Sequence, residues 1–252
     1  MTVLRKVAPP VVLGVVLLVL WQWYVVARDI PLVLLPAPSD IWRALIDERG
    51  ALFAESGVTF RNALGGTIIG FIGGVGLACA ASLVSLVRVA LRPVASAAQA
   101  VPVLALAPAF VLWLGFGTAP KLVTVAWVTG FLFLHAATAG LEATDRDLVE
   151  LLESVGASRW EVLRHARVPS SFPYLFDARR LGAGLAITGA VIAEWTGSAE
   201  GLGYIINAAR QYNATPTMWA AVVASAALAL LFAGAVALGE RAMWARRGGR
   251  SI

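Results

Sequence analysis

The chain has 252 residues, of which 59% are hydrophobic and 14% charged, whereas soluble domains carry roughly 25% charged residues. Its mean hydropathy is +0.79, and apolar runs near the roughly 20 residues that a spanning helix needs recur along it. It therefore reads as one all-α, polytopic membrane domain rather than a soluble domain on an anchor, and its net charge of +5 implies no nucleic-acid partner, because excess Lys and Arg in such a chain reflects its cytoplasmic loops.

Six spans are predicted, at 7–27, 63–87, 93–114, 122–141, 174–195 and 218–243. Arg5 and Lys6 precede the first. Its apolar run exceeds the roughly 7–15 residues of a signal-peptide core and no small-x-small cleavage site follows, so a retained span is expected. With the N-terminus inside, the inner basic set is Arg5, Lys6, Arg88, Arg92, Arg146, Arg159, Arg164, Arg167, Arg179, Arg180, Arg241, Arg246, Arg247 and Arg250. The outer set is only Arg28, Arg43, Arg49, Arg61, Lys121 and Arg210, so the positive-inside rule predicts that both termini are cytoplasmic. Trp21, Trp23 and Tyr24 near one end of the first span, with Trp195 and Trp219 beside the last outer loop, are either interfacial anchors or filling within the bundle.

After the first span, Pro31, Pro36 and Pro38 lead to Ser39 or Asp40 as an N-cap, with Ile41, Trp42, Leu45 and Ile46 at helical spacing. This predicts a short amphipathic helix on the outer interface. In the second span Gly66, Gly70 and Gly74 form a small-residue ridge, which lets another helix approach closely. Cys79 has no partner cysteine, so neither a disulfide framework nor a thiolate metal site is expected. Pro102 and Pro108 should bend the third span. His135 in the fourth either relays protons or bonds a neighbouring helix. In the fifth, Ala178, Gly182, Ala186 and Ala190 line one face and Glu194 continues it. That stripe marks static packing or a moving interface, and Glu194 is either an intramembrane ionisable site or a side chain reaching the interface. The stretch "TGSAEGLGYIINAARQYNATP" is polar and Gly-rich, then helical, with Pro216 before the last span.

Charge gathers in the segment 142–173. Thr144 or Asp145 caps a helix whose Leu148, Leu151, Leu152 and Val155 share one face, and Gly156 supplies its stop. Ser158 and Glu161 then form a capping box, opening a second short helix that carries Arg159, Trp160, Arg164 and Arg167, with Pro169 expected to end it. Such a helix suits a grip by a protein outside the bilayer, or attraction to anionic lipid headgroups. The chain has no G-x-x-x-x-G-K-[ST], and its only lysines are Lys6 and Lys121, so energy must come from a partner. The glycines at 201–204 follow a membrane span and lack the βαβ context of a dinucleotide turn. His135 and His165 lie far apart with no second ligand at metal spacing, and no paired carboxylates or Gly-x-Ser-x-Gly are present. No metal or catalytic site is expected.

Glu150-Leu-Leu, then Gly156-Ala157-Ser158-Arg159, then Val168-Pro169 resembles the "EAA…G…LP" signature of permease subunits of bacterial ATP-binding-cassette importers. The stretch "AEWTGSAEGLGYII" is similar to the taurine, sulfonate and nitrate branch, which includes permeases for a thiamine-precursor pyrimidine. "LLPAPSDIWRAL" and "VPVLALAPAFVLWLGFGTAPK" extend the likeness over nearly the whole chain. Leu151 and Leu152 depart from it, standing where the signature has alanines. The resemblance implies a type I importer permease fold in the bacterial inner membrane, with the charged loop as a coupling helix for a cytoplasmic ATPase. Glu150, Gly156, Ala157, Ser158, Arg159 and Pro169 are the positions carried over, and Trp160 joins them by its place on the short helix. Glu194, Gly182 and Ala186 are the expected path-lining residues. Also implied are two ATPase subunits holding ATP and Mg, an extracytoplasmic binding protein, and a second permease copy in a homodimer. The solute would be a sulfonate-, taurine- or nitrate-like anion or the pyrimidine; the alternative is an ATP-independent transporter or channel.

Overall fold

In the computed structural model, residues 2–246 are described, and no strand occurs among them. Arg247 and Arg250 lie outside the described residues, as do the side chains of Arg5, Lys6, Arg92, Arg241 and Arg246. The helices are α1 (Thr2–Ala27), α2 (Pro38–Asp47), α3 (Arg49–Leu83), α4 (Ser85–Ala100), α5 (Val103–Leu114), α6 (Thr118–Glu142), α7 (Arg146–Ser154), α8 (Arg159–Val162), α9 (Val168–Gly197), α10 (Leu202–Gln211) and α11 (Thr215–Arg246), with a π turn, Leu163–Arg167, joining α8 to α9.

Of the described helices, four are long and apolar enough to cross a membrane alone: Ala8–Ala27, Arg49–Leu83, Thr118–Glu142 and Thr215–Gly239. The bent pair α4 and α5 makes a fifth, against the six expected. The difference is α9. It has 30 residues, but Asp177, Arg179, Arg180 and Glu194 dilute its apolar character, and it sits at the centre, against α3, α5, α6, α10 and α11. A helix wrapped by other helices meets little lipid, so a lower hydropathy is tolerated.

Two boundaries differ from the sequence expectation. The second long helix begins at Arg49 rather than near 63, because the polar turns holding Glu55, Thr59 and Asn62 pack on α9 and α10 instead of forming a loop. The third predicted span is broken at Val101 and Pro102, and its two helices lie 99° apart; Pro102 has no N–H to continue α4. The amphipathic helix after α1 is present as α2, with Ala37 as N-cap and its N–H donating to the Asp40 carboxylate at 3.1 Å.

The tightest seam joins α3 to α6. A Cβ on Gly66 would collide with Val125, one on Gly70 with the Thr129 hydroxyl, and one on Gly74 with the Gly130 carbonyl. Glycine here lets two backbones approach as side chains would forbid. Three apolar clusters then fill the bundle. Phe133, Leu134, Leu141, Leu163 and Leu175 occupy the end near the charged segment; Ala63, Val125, Ala186, Ile187 and Ala190 fill the middle; Leu52, Leu202, Ile206, Ala220 and Ala221 fill the opposite end. By contrast, only 6% of the Ala8–Ala27 window is buried. At its end α1 is tied by Gln22 to Ser39 and by an edge-on contact of Trp21 with Trp219, 5.8 Å between rings.

Candidate functional site

The charged segment folds as two short helices meeting at an elbow. Asp145 caps α7 by accepting from the Asp147 N–H at 2.9 Å. Gly156, at φ +86°, ends it: the Gly156 N–H donates to the Glu153 carbonyl and the Ala157 N–H to the Leu152 carbonyl, the paired bonds of a Schellman stop. Two residues on, Ser158 accepts from the Glu161 N–H while its own N–H donates to the Glu161 carboxylate at 2.7 Å, a complete capping box. The Ser158 hydroxyl also donates to that carboxylate at 2.7 Å, and this bond first and the Ser158 N–H bond next hold the Glu161 carboxyl below the usual carboxylate range.

The elbow is anchored on one side only. Val162, Leu163 and Ala166 are buried, and Leu163 joins Phe133, Leu134 and Leu175 in the core. Arg167 donates to Ser82 at 3.0 Å, fixing the π turn to the junction of α3 and α4. The other side is open. No residue of α7 is buried; Leu151, Val155 and Trp160 stand 61%, 74% and 58% exposed. Pro169 does not end the second helix as expected. It lies in the first turn of α9, where a missing N–H costs nothing, and the π turn, closed by the Val168 N–H on the Leu163 carbonyl, carries the chain onward without interruption. The structure thus brings Gly156, Ala157, Ser158, Arg159 and Trp160 together at the elbow, with Glu150 exposed on α7 and Pro169 apart from them. A polar pocket of about 230 Å³ beside the elbow is lined by Ser82, Ser85, Arg88, Glu153, Arg159 and Arg167.

At the opposite end of α9, Glu194 is 1% exposed and does not reach the surface. Its carboxylate accepts from Thr59 at 2.8 Å, Asn62 at 3.0 Å and the Gly203 N–H at 3.1 Å. Thr59 also accepts from the Leu202 N–H at 2.9 Å. Gly182 and Ala186 are buried as well, Gly182 facing Leu132 and Phe133 and Ala186 among Val125, Ile187 and Ala190. None of the three borders the cavity of about 430 Å³ between α9, α10 and α11, which Thr188, Val191, Trp195, Arg210 and Met218 help to line. Nearby, Lys121, only 4% exposed, donates to Glu200 at 3.0 Å; that bond and the lysine's charge hold the Glu200 carboxyl below its ordinary range.

Residues 58–245 match the family described as binding-protein-dependent transport system inner membrane component. The chain belongs to this family. It is 35% identical over 219 residues to the riboflavin transport system permease protein of Chloroflexus aurantiacus, covering 85% of this chain and 80% of that one. It is 32% identical to the formylaminopyrimidine transport permease protein of Halalkalibacterium halodurans, over 77% of this chain and 78% of the relative. Its fold resembles that of an amino acid ABC transporter chain, with a TM-score of 0.59 at 13% identity, covering 78% of this chain and 96% of the other. This protein is accordingly a membrane permease subunit of an ATP-binding-cassette transport system, a non-catalytic component for a small solute.

Sequence reasoning missed the permease's polar ties. Thr59 and Asn62, one helical turn apart, precede the predicted second span, and nothing local connects them to Glu194. Gln99, which meets His135 across α4 and α6, gave no signal beyond being an amide in an apolar run.

Proposed function

We propose that the permease works as a homodimer in the cytoplasmic membrane, with both termini inside, and that the α7–α8 elbow receives the stroke of a cytoplasmic ATPase. Two ATPase subunits would hold ATP and Mg, and an extracytoplasmic binding protein would deliver the solute to the opposite face. The observation that carries this reading is the elbow's asymmetry. Its inner side is set into the core through Leu163, while its outer side offers Leu151, Val155 and Trp160 to water beside Arg159. An apolar face with a charged border, left open on a stiffly capped helix pair, fits a protein partner better than solvent.

Alternating access needs a two-state equilibrium to be reversed, and moving it from 1:99 to 99:1 takes about 5.5 kcal/mol of differential binding. Closure of an ATPase dimer on two elbows supplies that. Gly182, Ala186 and Glu194 then act as packing and clamping positions that keep α9 one body with α6 and α3, and the path runs along faces left exposed. The solute is a small molecule of the kinds named for the relatives or a taurine-like anion.

The test is co-purification of the ATPase with membranes carrying Arg159→Glu or Trp160→Ala, followed by ATP-driven uptake. Loss of both, with the permease's Tm unchanged, is expected. Normal assembly and uptake in both variants, or solute flux through the permease without ATP, overturns the reading.

A further inference from the structure

His135 is the only ionisable residue from 122 to 141. It is exposed, whereas every residue from 121 to 134 is buried or half-buried. It lies seven positions before the end of α6 at Glu142, roughly 10 Å along the helix at 1.5 Å per residue. There its Nε2 meets the side-chain nitrogen of Gln99 on α4, and the same nitrogen donates to the Ala95 carbonyl at 3.2 Å. Both amide hydrogens of Gln99 are thereby used, one of them on an imidazole nitrogen that must accept. With the Gln99 amide assigned by its bond to the Ala95 carbonyl, Nε2 of His135 is the accepting ring nitrogen and Nδ1 the donating one. Among the described residues nothing engages two groups, the Nδ1–H of His135, a donor, and the Oε1 of Gln99, an acceptor. Leaving such groups unpaired in an apolar setting is costly.

A second observation points to the same place. The backbone breaks at Val101 and Pro102, just past Gln99, with the helices on either side 99° apart. Non-helical backbone at membrane depth persists only where it is buried in protein or lines a cavity.

We propose that His135 and Gln99 form a solute-recognition pair on the translocation path, completed by the second permease copy, and that it selects a nitrogen heterocycle bearing an amide-type edge. The assignment rests on the importer reading above. An edge of this kind offers one hydrogen-bond donor beside one acceptor and complements the pair. A sulfonate offers acceptors only and would face the amide oxygen unfavourably.

The experiment uses the permease–ATPase complex in detergent, without binding protein, and reads riboflavin binding by fluorescence anisotropy, with formylaminopyrimidine and taurine as competitors. Riboflavin is expected to bind and formylaminopyrimidine, not taurine, to displace it. His135→Phe and Gln99→Leu should each weaken binding up to about tenfold, the worth of one hydrogen bond, with unchanged Tm. The exchanged pair, Gln99→His with His135→Gln, should recover most of the affinity. No riboflavin binding, displacement by taurine, or unchanged affinity in both single variants overturns the assignment. So does a loss of affinity that follows a fall in Tm and is not recovered by the exchange, which would mark a mere tie between helices. ATP-driven uptake of taurine by reconstituted complex, insensitive to both variants, sinks the pair and leaves the importer standing; uptake without ATP sinks the importer.

Discussion

Thr59 and Glu194 lie 135 positions apart in the chain and share a buried hydrogen bond of 2.8 Å. The same carboxylate accepts from Asn62 and from the Gly203 N–H, so one side chain holds α3, α9 and α10 together. Glu194→Ala strands these donors, at about 1–3 kcal/mol for each bond left unmade. A large drop in Tm of the purified permease is expected, and a smaller one for Glu194→Gln, which keeps the shape and one acceptor.

Gly70 and Gly73 stand three residues apart on α3 in opposite circumstances. A Cβ at Gly70 meets Thr129 and the backbone of α6, whereas at Gly73 nothing lies within 4 Å. Gly70→Val should lower stability by about 1–3 kcal/mol, the usual cost of overpacking. Gly73→Ala should be neutral or slightly stabilising, since Ala is the better helix former. Thermal unfolding of the two variants side by side decides the matter.

Gly156 has open space around it but a φ of +86°. Gly156→Ala therefore costs roughly 1–2 kcal/mol of local backbone strain, with no steric clash, and Gly156→Asn less. Hydrogen exchange should show faster opening at Gly156 and Ala157, whose N–H groups make the stop, while the core of α6 and α9 stays protected. ATPase assembly should fall in the order wild type, Asn, Ala.

Lys121 and Glu200 set a pH dependence. Glu200 is held below its ordinary range by the Lys121 hydrogen bond and charge, so its contribution is present above its unfolded pKa, about 4.3, and is lost as pH falls through the lower folded value. Glu200→Gln at neutral pH deprives the nearly buried Lys121 of its carboxylate, costing about 1 kcal/mol or less because that carboxylate is 45% exposed and solvent screens the pair. Denaturation at pH 7 should separate wild type from variant, and the gap should close as the pH drops below about 4.

The elbow was legible because its signals are local. Ser158 and Glu161 sit three apart, Gly156 sits where an apolar face ends, and each bond joins residues within five positions. Gly66, Gly70 and Gly74 likewise announced a close helix approach, though not that α6 would make it. What stayed hidden was set by distant partners. The turns around Thr59 and Asn62 look like loop until Glu194 is placed between them, and α9 looks like one more span until α3, α5, α6, α10 and α11 surround it. Pro169 misled for a different reason: a proline halts a helix that has already formed but sits comfortably at the start of the next, and only the π turn before it decides which case applies.

That turn has a mechanical consequence. Because α8 runs through the π turn into α9 without a break, the assembly from Arg159 to Gly197 is a beam roughly 58 Å long with the exposed elbow at one end and Glu194 fastened near the other. Rotating such a beam by roughly 5° would carry its tip about 5 Å at that length, dragging the Thr59 end of α3 and the start of α10 along with it. If the elbow takes the partner's push as proposed, a slight tilt at that end becomes a far larger displacement around Glu194.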